Sequence, residues 1–495
     1  MGLNILMAAS EAVPFAKEGG LADVVGALPR ALAARGHDVR VVMPRYYKVD
    51  RERYGLKLLP GVLVVPMGII GDMYCGVYEG RLPDSDVPVY FLEHEQLYGR
   101  GGGLYEVDNE GYLDNDNRFI FLSKAALELC KMLDFRPDVV HAHDWHTAAI
   151  PVLLNTLYRT DPYVGAAASL LTIHNMQHQG TFYEGAMEVL GVGWEHFTFL
   201  GLEKDNQVNL LKGGLYHATL INTVSEGYAR EIQTPEYGWG LEGVVRERAA
   251  DLSGILNGVD YGEWSPESDP LIPVPYSADD LSGKAVCKRE LQRAVGLPVR
   301  DDVPLIGMVS RLVKQKGIDV LAEAIPRILG LDLQFVMLGA GEPWAHFYFG
   351  DIQAAYPDTF RCIIGYDNPL AHRIEAGADF FLMPSAFEPC GLNQMYSLRY
   401  GTLPIVRATG GLDDSVENFD ERSLAGTGFK FWDLNAGALF DTLGWAVHTW
   451  YHRKDAMEAL VRNAMACRFT WDEAARGYEE LYVKAMARRG RTAGI

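Results

Sequence analysis

Three short segments of this chain carry the residue types needed to hold a phosphorylated sugar. Lys17-Glu18-Gly19-Gly20-Leu21 lies near the start, Ser310-Arg311-Leu312-Val313-Lys314-Gln315-Lys316-Gly317 falls in the second half, and Glu388-Pro389-Cys390-Gly391-Leu392 follows it. Each sits where an apolar run meets a helix-like pattern. Glycines at such a junction let the backbone approach a phosphate, and the helix start adds about half a positive charge. Arg311 grips oxygens in a planar fork while Lys316 acts as a point charge, a suitable pair for a diphosphate. Glu388 would present its carboxylate to a cleft while the amides of Cys390, Gly391 and Leu392 point at ligand oxygens. A sugar nucleotide is the leading ligand.

Each segment also has a plainer reading. The Lys17 segment could be an ordinary glycine-rich turn, the Arg311 segment a solvated basic loop, and Glu388 a charge at a helix start. What favours the functional reading is their joint occurrence. Cys390 reads as a small apolar filler beside the sugar rather than a reactive thiol. Downstream, Thr409-Gly410-Gly411-Leu412 repeats the strand, glycine turn and helix arrangement and could support the same ligand. None of these is the GxGxxG fingerprint of nicotinamide enzymes or a Walker loop.

His141-Ala142-His143-Asp144-Trp145-His146 places three imidazoles and a carboxylate within six positions. A metal site is the less favoured reading, because adjacent residues leaving a strand end cannot all converge and no matching ligand set appears elsewhere. The favoured one has Asp144 and His143 lining the cleft with Trp145 packed nearby. His174, followed by Asn175, leaves another strand end toward Lys17 and Asp144, or else is a capped core histidine. Asn257 could hold a sugar hydroxyl and Tyr366 could stack on a base. Asp84-Ser85-Asp86 and Asp114-Asn115-Asp116 have the DxD spelling of metal-dependent glycosyltransferases but read as polar turns.

The elements that must position these residues form two series. Residues 3–9 read as a buried strand, 21–34 as an amphipathic helix and 39–43 as a second strand, a βαβ opening. Alternating runs at 73–78 and 87–92 read as added hairpin strands. Helix 118–132, strand 139–142, helix 147–158 and strands 169–173 and 220–224 continue the series. A Pro-, Ser- and Asp-rich stretch from about Asn257 to Ser282 reads as an interdomain linker. The second series has strand 305–309, helix 317–329, strands 333–338 and 380–383, helix 392–400 and strand 403–406. The fold class is therefore α/β: two Rossmann-like doubly wound domains facing each other across a cleft, with ligand groups at the carboxyl ends of strands. The expected division is 1–256 and 257–470, with a last helix that could pack back on the first domain and a basic tail at Arg488-Arg489-Gly490-Arg491.

Composition narrows the class. At 495 residues, 48% hydrophobic and 22% charged, the chain has room for two or three globular domains. Six scattered cysteines without CxxC spacing suggest neither disulfides nor a zinc knuckle, and a cytoplasmic setting fits. The start has no basic region typical of a signal peptide, and no apolar run approaches the roughly 20 residues of a membrane span. A net charge of -20 argues against nucleic-acid binding and requires a local basic pocket for any anionic substrate.

Taken together, these segments closely resemble bacterial glycogen synthases and plant starch synthases over essentially the whole chain. That resemblance implies the GT-B arrangement and metal-independent transfer of glucose from ADP-glucose to the end of an α-1,4-glucan with retained configuration. No cofactor, nucleic acid or membrane partner is implied. By position, Arg311 and Lys316 would neutralise the diphosphate and the ADP leaving group. Lys17 would line the donor site, with Gly19 and Gly20 near phosphate, Tyr366 beside adenine and Asp23 as an additional donor-site residue. Glu388, Asn257 and His174 would hold glucose hydroxyls, and Asp144 would orient the reacting sugars. The competing expectations are a related transferase using UDP-glucose or a small acceptor, and an inactive glucan- or nucleotide-binding protein.

Overall fold

In a computed structural model that describes residues 2–107 and 110–492, the chain divides into two compact units. The first takes the chain through Val224, then Ala229–Gly258, then the segment from Trp471 onward. The second takes Ser225–Tyr228 and Val259–Thr470.

The first unit is built on a ten-stranded sheet. Its parallel part runs, in spatial order, Leu252–Gly254, Leu220–Thr223, Ala168–Ile173, Val139–His143, Asn4–Ala8, Asp38–Pro44 and Pro88–Glu93. Asp72–Arg81 then pairs antiparallel with Pro88–Glu93, the hairpin that the alternating pattern predicts. The central strands are buried on both faces, which is why they read as continuous apolar runs. The helix Gly20–Ala34 covers one face, and the last helix, Trp471–Thr492, packs against it and against Val139–His143 and Ala168–Ile173. Tyr478 and Tyr482 on that helix are fully buried, the Tyr482 hydroxyl lying 2.8 Å from His141 Nδ1.

The second unit has six parallel strands in the order Phe360–Ile364, Gln334–Gly339, Leu305–Val309, Phe380–Met383, Leu403–Arg407 and Phe429–Phe431. Its core joins Ile306, Phe335, Phe380 and Ile405 from the strands to Leu321 and Ile325 of the helix Ile318–Ile328 and Leu439 and Leu443 of Ala436–His452.

Three readings need correction. The Pro- and Asp-rich stretch through Ser282 is no free linker: Ile272 and Tyr276 are buried within the second unit, and Trp264 stacks on His372 at 3.8 Å and on Tyr396 at 4.0 Å. Its few large apolar residues outweigh its polar composition. The basic tail is the end of the last helix, where Arg488 pairs with Asp251 and Arg489 donates to the carbonyls of Leu154 and Gly165, while Arg491's side chain lies outside the described residues. The helix predicted at 147–158 is two short ones, Asp144–Thr147 and Ala149–Asn155, because Asp144 itself opens the first.

Candidate functional site

In a doubly wound sheet, ligand groups collect where successive strands depart to opposite sides. In the second unit that point lies between the adjacent strands Leu305–Val309 and Phe380–Met383. Arg311 and Lys316 follow the first of these and Glu388 follows the second. Lys316 Nζ lies 2.5 Å from Glu388 Oε2, and the Ser385 hydroxyl donates to the same oxygen at 3.0 Å. Glu388 is only 6% exposed, so its charge is held by these two donors. Arg311 is exposed and donates to Gln315 Oε1 at 3.2 Å, and Gln315 in turn donates to the Phe387 carbonyl. The two predicted segments thus form one cluster.

Backbone turns shape this cluster. Gly317 adopts φ +71°, and a Cβ there would fall 1.9 Å from the Pro384 carbonyl oxygen. Gly391 also has φ +71°. A Cβ on Gly411 would lie 2.0 Å from the Cys390 carbonyl oxygen, and its amide donates to the Glu388 carbonyl at 3.0 Å. The Thr409 segment therefore supports the Glu388 loop through close backbone packing. Cys390 and Thr409 are buried, and Leu392 caps the helix Asn393–Arg399. Tyr366 is the outlier, 84% exposed just beyond Phe360–Ile364, its hydroxyl donating to Asn368. Ser225, which the sequence reading missed, donates to the Pro389 carbonyl at 2.6 Å.

The first unit has its own switch point, between Asn4–Ala8 and Val139–His143. Lys17 and Gly19 follow one strand and Asp144 the other. Lys17 Nζ contacts both Asp23 carboxylate oxygens, at 2.7 and 2.8 Å. Gly19 (φ -137°) and Gly20 need no special backbone conformation, and a Cβ on Gly20 would meet nothing within 4 Å. The open space is thus at the helix start itself. Buried Glu11, also missed in the sequence, accepts from the Glu18 and Gly19 amides at 2.5 and 3.0 Å and from the Tyr105 hydroxyl at 2.8 Å. Burial pushes its carboxyl above the usual range despite these donors. An acidic residue just past the apolar run of the first strand was the available signal.

Asp144 sits at φ +52°, a conformation disfavoured for a residue with a Cβ. Its Oδ1 accepts from the His174 amide at 2.7 Å and more weakly from Asn175 at 3.4 Å, and burial raises its carboxyl to about 7. His174 Nε2 lies 3.0 Å from His143 Nδ1, and burial holds His174 neutral, down to about 3. His143 is fully buried, so it backs His174 and does not line a surface as expected. His141 bonds Thr172 and Tyr482, whereas His146 turns away to pack on Tyr105 and Phe119. Among the described residues no group of three or more His, Cys, Asp or Glu side chains could hold a metal. Asn257, after Leu252–Gly254, is 4% exposed, and its Oδ1 has no hydrogen-bond partner among the described residues. Asp84-Ser85-Asp86 is a turn, and Asp114 caps the helix Asn115–Met132.

The first unit also holds an open cavity of about 410 Å³, lined by Trp145, Gln177, Gln179, Phe182 and Trp239 among others. Among the described residues no helix is long and apolar enough to cross a membrane.

Comparison with known proteins agrees with this anatomy. The starch synthase catalytic domain family matches residues 4–247, and the glycosyl transferases group 1 family matches residues 291–461. Glycogen synthase 1 of Geobacter metallireducens is 78% identical over 487 residues, covering 98% of this chain and 97% of that protein. Glycogen synthase 1 of Geobacter sulfurreducens is 76% identical with the same coverage. The structure of the catalytic domain of starch synthase IV from Arabidopsis thaliana, bound to ADP and acarbose, matches with a TM-score of 0.89 at 33% identity, covering 98% of this chain and 100% of that one. With two Rossmann-like units of the GT-B class and relatives this similar over nearly its whole length, the chain belongs to the glycogen synthase and starch synthase family, whose members are glucosyltransferases that build glucan from a nucleotide sugar.

Proposed function

We propose that the donor is ADP-glucose and that the chain adds glucose to the non-reducing end of an α-1,4-glucan with retention of configuration. The observation that carries this reading is the Arg311, Lys316 and Glu388 cluster at a strand switch point, which offers two cations for a diphosphate beside a carboxylate for sugar hydroxyls. Lys17, Gly19, Gly20 and Asp23 would supply further donor contacts, Tyr366 an adenine face, and Thr409 support for the Glu388 loop. Asp144, His174 and Asn257 would hold the sugars on the first unit.

Retention permits either a covalent glucosyl intermediate or attack from the face the leaving group departs. Glu388 Oε2 is engaged by Lys316 and Ser385, and Asp144 Oδ1 by the His174 and Asn175 amides. One oxygen of each carboxylate is thus committed, and burial that raises Asp144 to about 7 weakens it as a nucleophile, which favours front-face attack. The bond from C1 to the β-phosphate oxygen breaks, the acceptor O4 bonds C1 on the same face, and its proton passes to the departing phosphate. Arg311 and Lys316 then stabilise ADP, which is the main catalytic effect. The test is nucleotide release from ADP-glucose and from UDP-glucose, with and without glycogen, in the presence of a chelator. Glycogen-dependent ADP release with glucose entering polymer is expected. Release confined to UDP-glucose, or to a small acceptor, would overturn the substrate assignment.

A further inference from the structure

We propose that the outer face of the hairpin formed by Leu63–Pro66 and Asp72–Arg81 is a contact surface for a second copy of this chain. Side chains alternate along these paired strands. Leu63, Val65, Cys75 and Val77 turn inward and are buried, whereas Val64 and Tyr74, directly opposite each other, face outward and are exposed. Exposed Val62 precedes the first strand, and exposed Leu58 extends the face, its Cδ1 lying 3.4 Å from where a Cβ on Gly76 would fall. Ile69 and Ile70 stand in the turn between the strands, Ile69 being 73% exposed. From Leu58 to Gly71 no residue is charged, in a chain where 22% are. These six side chains expose roughly 600 Å² of apolar surface, the upper end of what a lone soluble chain carries in one patch.

The face is preformed. Lys124 Nζ donates to the carbonyls of Pro66 and Val189 at 2.9 and 3.0 Å. Gly68, at φ +59°, lies so close to the next segment that a Cβ would fall 2.0 Å from the Glu188 carbonyl oxygen. A turn pinned on both sides loses little freedom on binding. Lys124 also limits how a partner can approach. Pro66 has no amide and its carbonyl is taken, so this edge cannot extend by strand addition, and the face is what remains. Two such faces related by a two-fold axis bury the same residues on each copy and stop at two. The charges at the ends of the face agree with that symmetry. Asp72 is exposed at one end. At the other, Arg51 donates to Tyr78, the residue opposite Leu58, and Arg45 and Arg51 share the single carboxylate of Glu93. When the strands of two copies run in opposite directions, Asp72 of each meets the cationic end of the other. With Pro66, Gly71 and Asp72 added, each copy buries roughly 800 Å², the amount typical of a specific interface.

The test is analytical sedimentation of the full chain at about 10 μM, where an interface of standard size holds, beside Tyr74→Glu, Ile69→Glu and Asp72→Arg, with melting temperature as the fold control. The natural chain should sediment as a dimer. Tyr74→Glu and Ile69→Glu each bury two unpaired like charges across the two-fold axis, so both should sediment as monomers at an unchanged melting temperature. Asp72→Arg sets cation against cation at both ends, and its dimer should dissociate about tenfold more readily. All three positions are exposed, so a variant that folds poorly leaves the other two to decide. A monomeric natural chain overturns the proposal, as does a dimer that both glutamate variants leave intact. A monomer whose glycogen binding depends on Tyr74 assigns the face to glucan and overturns it as well.

Discussion

Lys316 and Glu388 are each placed by a different strand, and their 2.5 Å pair shows how one substitution acts twice. Lys316→Ala removes a cation expected to stabilise departing ADP and leaves a buried carboxylate with only Ser385. Its kcat should fall roughly 10²-fold or more, the scale of losing one positioned donor, and its melting temperature should fall as well. An unchanged kcat would remove Lys316 from catalysis. Asp144 offers a pH prediction. Its carboxyl is raised to about 7 in the folded chain from an ordinary value near 4, so the folded state holds its proton more tightly than the unfolded state between those values. The stability this contributes is present below the unfolded value and is lost as pH rises through 7. The buried histidines have the opposite sign, since folding keeps His141 and His174 neutral and stability is lost as pH falls below about 6.5. A difference measurement separates the two. Asp144→Asn should gain melting temperature relative to the natural chain as pH rises from about 4 to about 7, and a constant offset would disprove the assignment.

At the scale of elements, the Glu388 loop is held by packing as tight as any in the core. Gly411→Ala would drive a methyl into the Cys390 carbonyl, where backbone on both sides leaves little room to yield. It should cost about 2 kcal/mol in stability and lower kcat while leaving the helix Ile318–Ile328 intact, which thermal melts and initial rates would show. Much of this was legible beforehand. Strands 305–309 and 380–383 agree to the residue, because a central parallel strand is a short apolar run with a sharp end. The strands Leu63–Pro66 and Phe429–Phe431 were not read, being too short for periodicity, nor was Phe360–Ile364, an edge strand whose pattern mixes apolar with polar residues. Charged residues announced the Lys316 cluster by type and spacing. Glu11, Tyr105 and Ser225 carry no motif, and only the folded chain brings them to the segments they support.

At the scale of the whole molecule, the segment after Thr470 completes the first unit although most of the second unit separates it from the rest along the chain. The helix Trp471–Thr492 supplies two buried tyrosines, and their hydroxyls meet His141 and Asn222 on the two strands that flank Ala168–Ile173. Tyr482→Phe removes only the hydroxyl and should cost about 1 kcal/mol. Deleting residues 471–495 is a different perturbation. It bares the face of Gly20–Ala34 and the strands Val139–His143 and Ala168–Ile173, leaves His141 without one of its two partners, and exposes apolar surface over much of a helix. The second unit keeps its own core, since its buried cluster draws on residues between Ile306 and Ala464. Hydrogen exchange of the truncated chain should therefore lose protection in Val139–His143 and Ala168–Ile173 while Leu305–Val309 and Gln334–Gly339 stay slow. Glucan binding should be lost with the first pair of strands, because Asp144 and His174 begin where those strands end. Retained protection in Val139–His143 would mean that the sheet is stable without its last helix and that the tyrosine contacts are accessory.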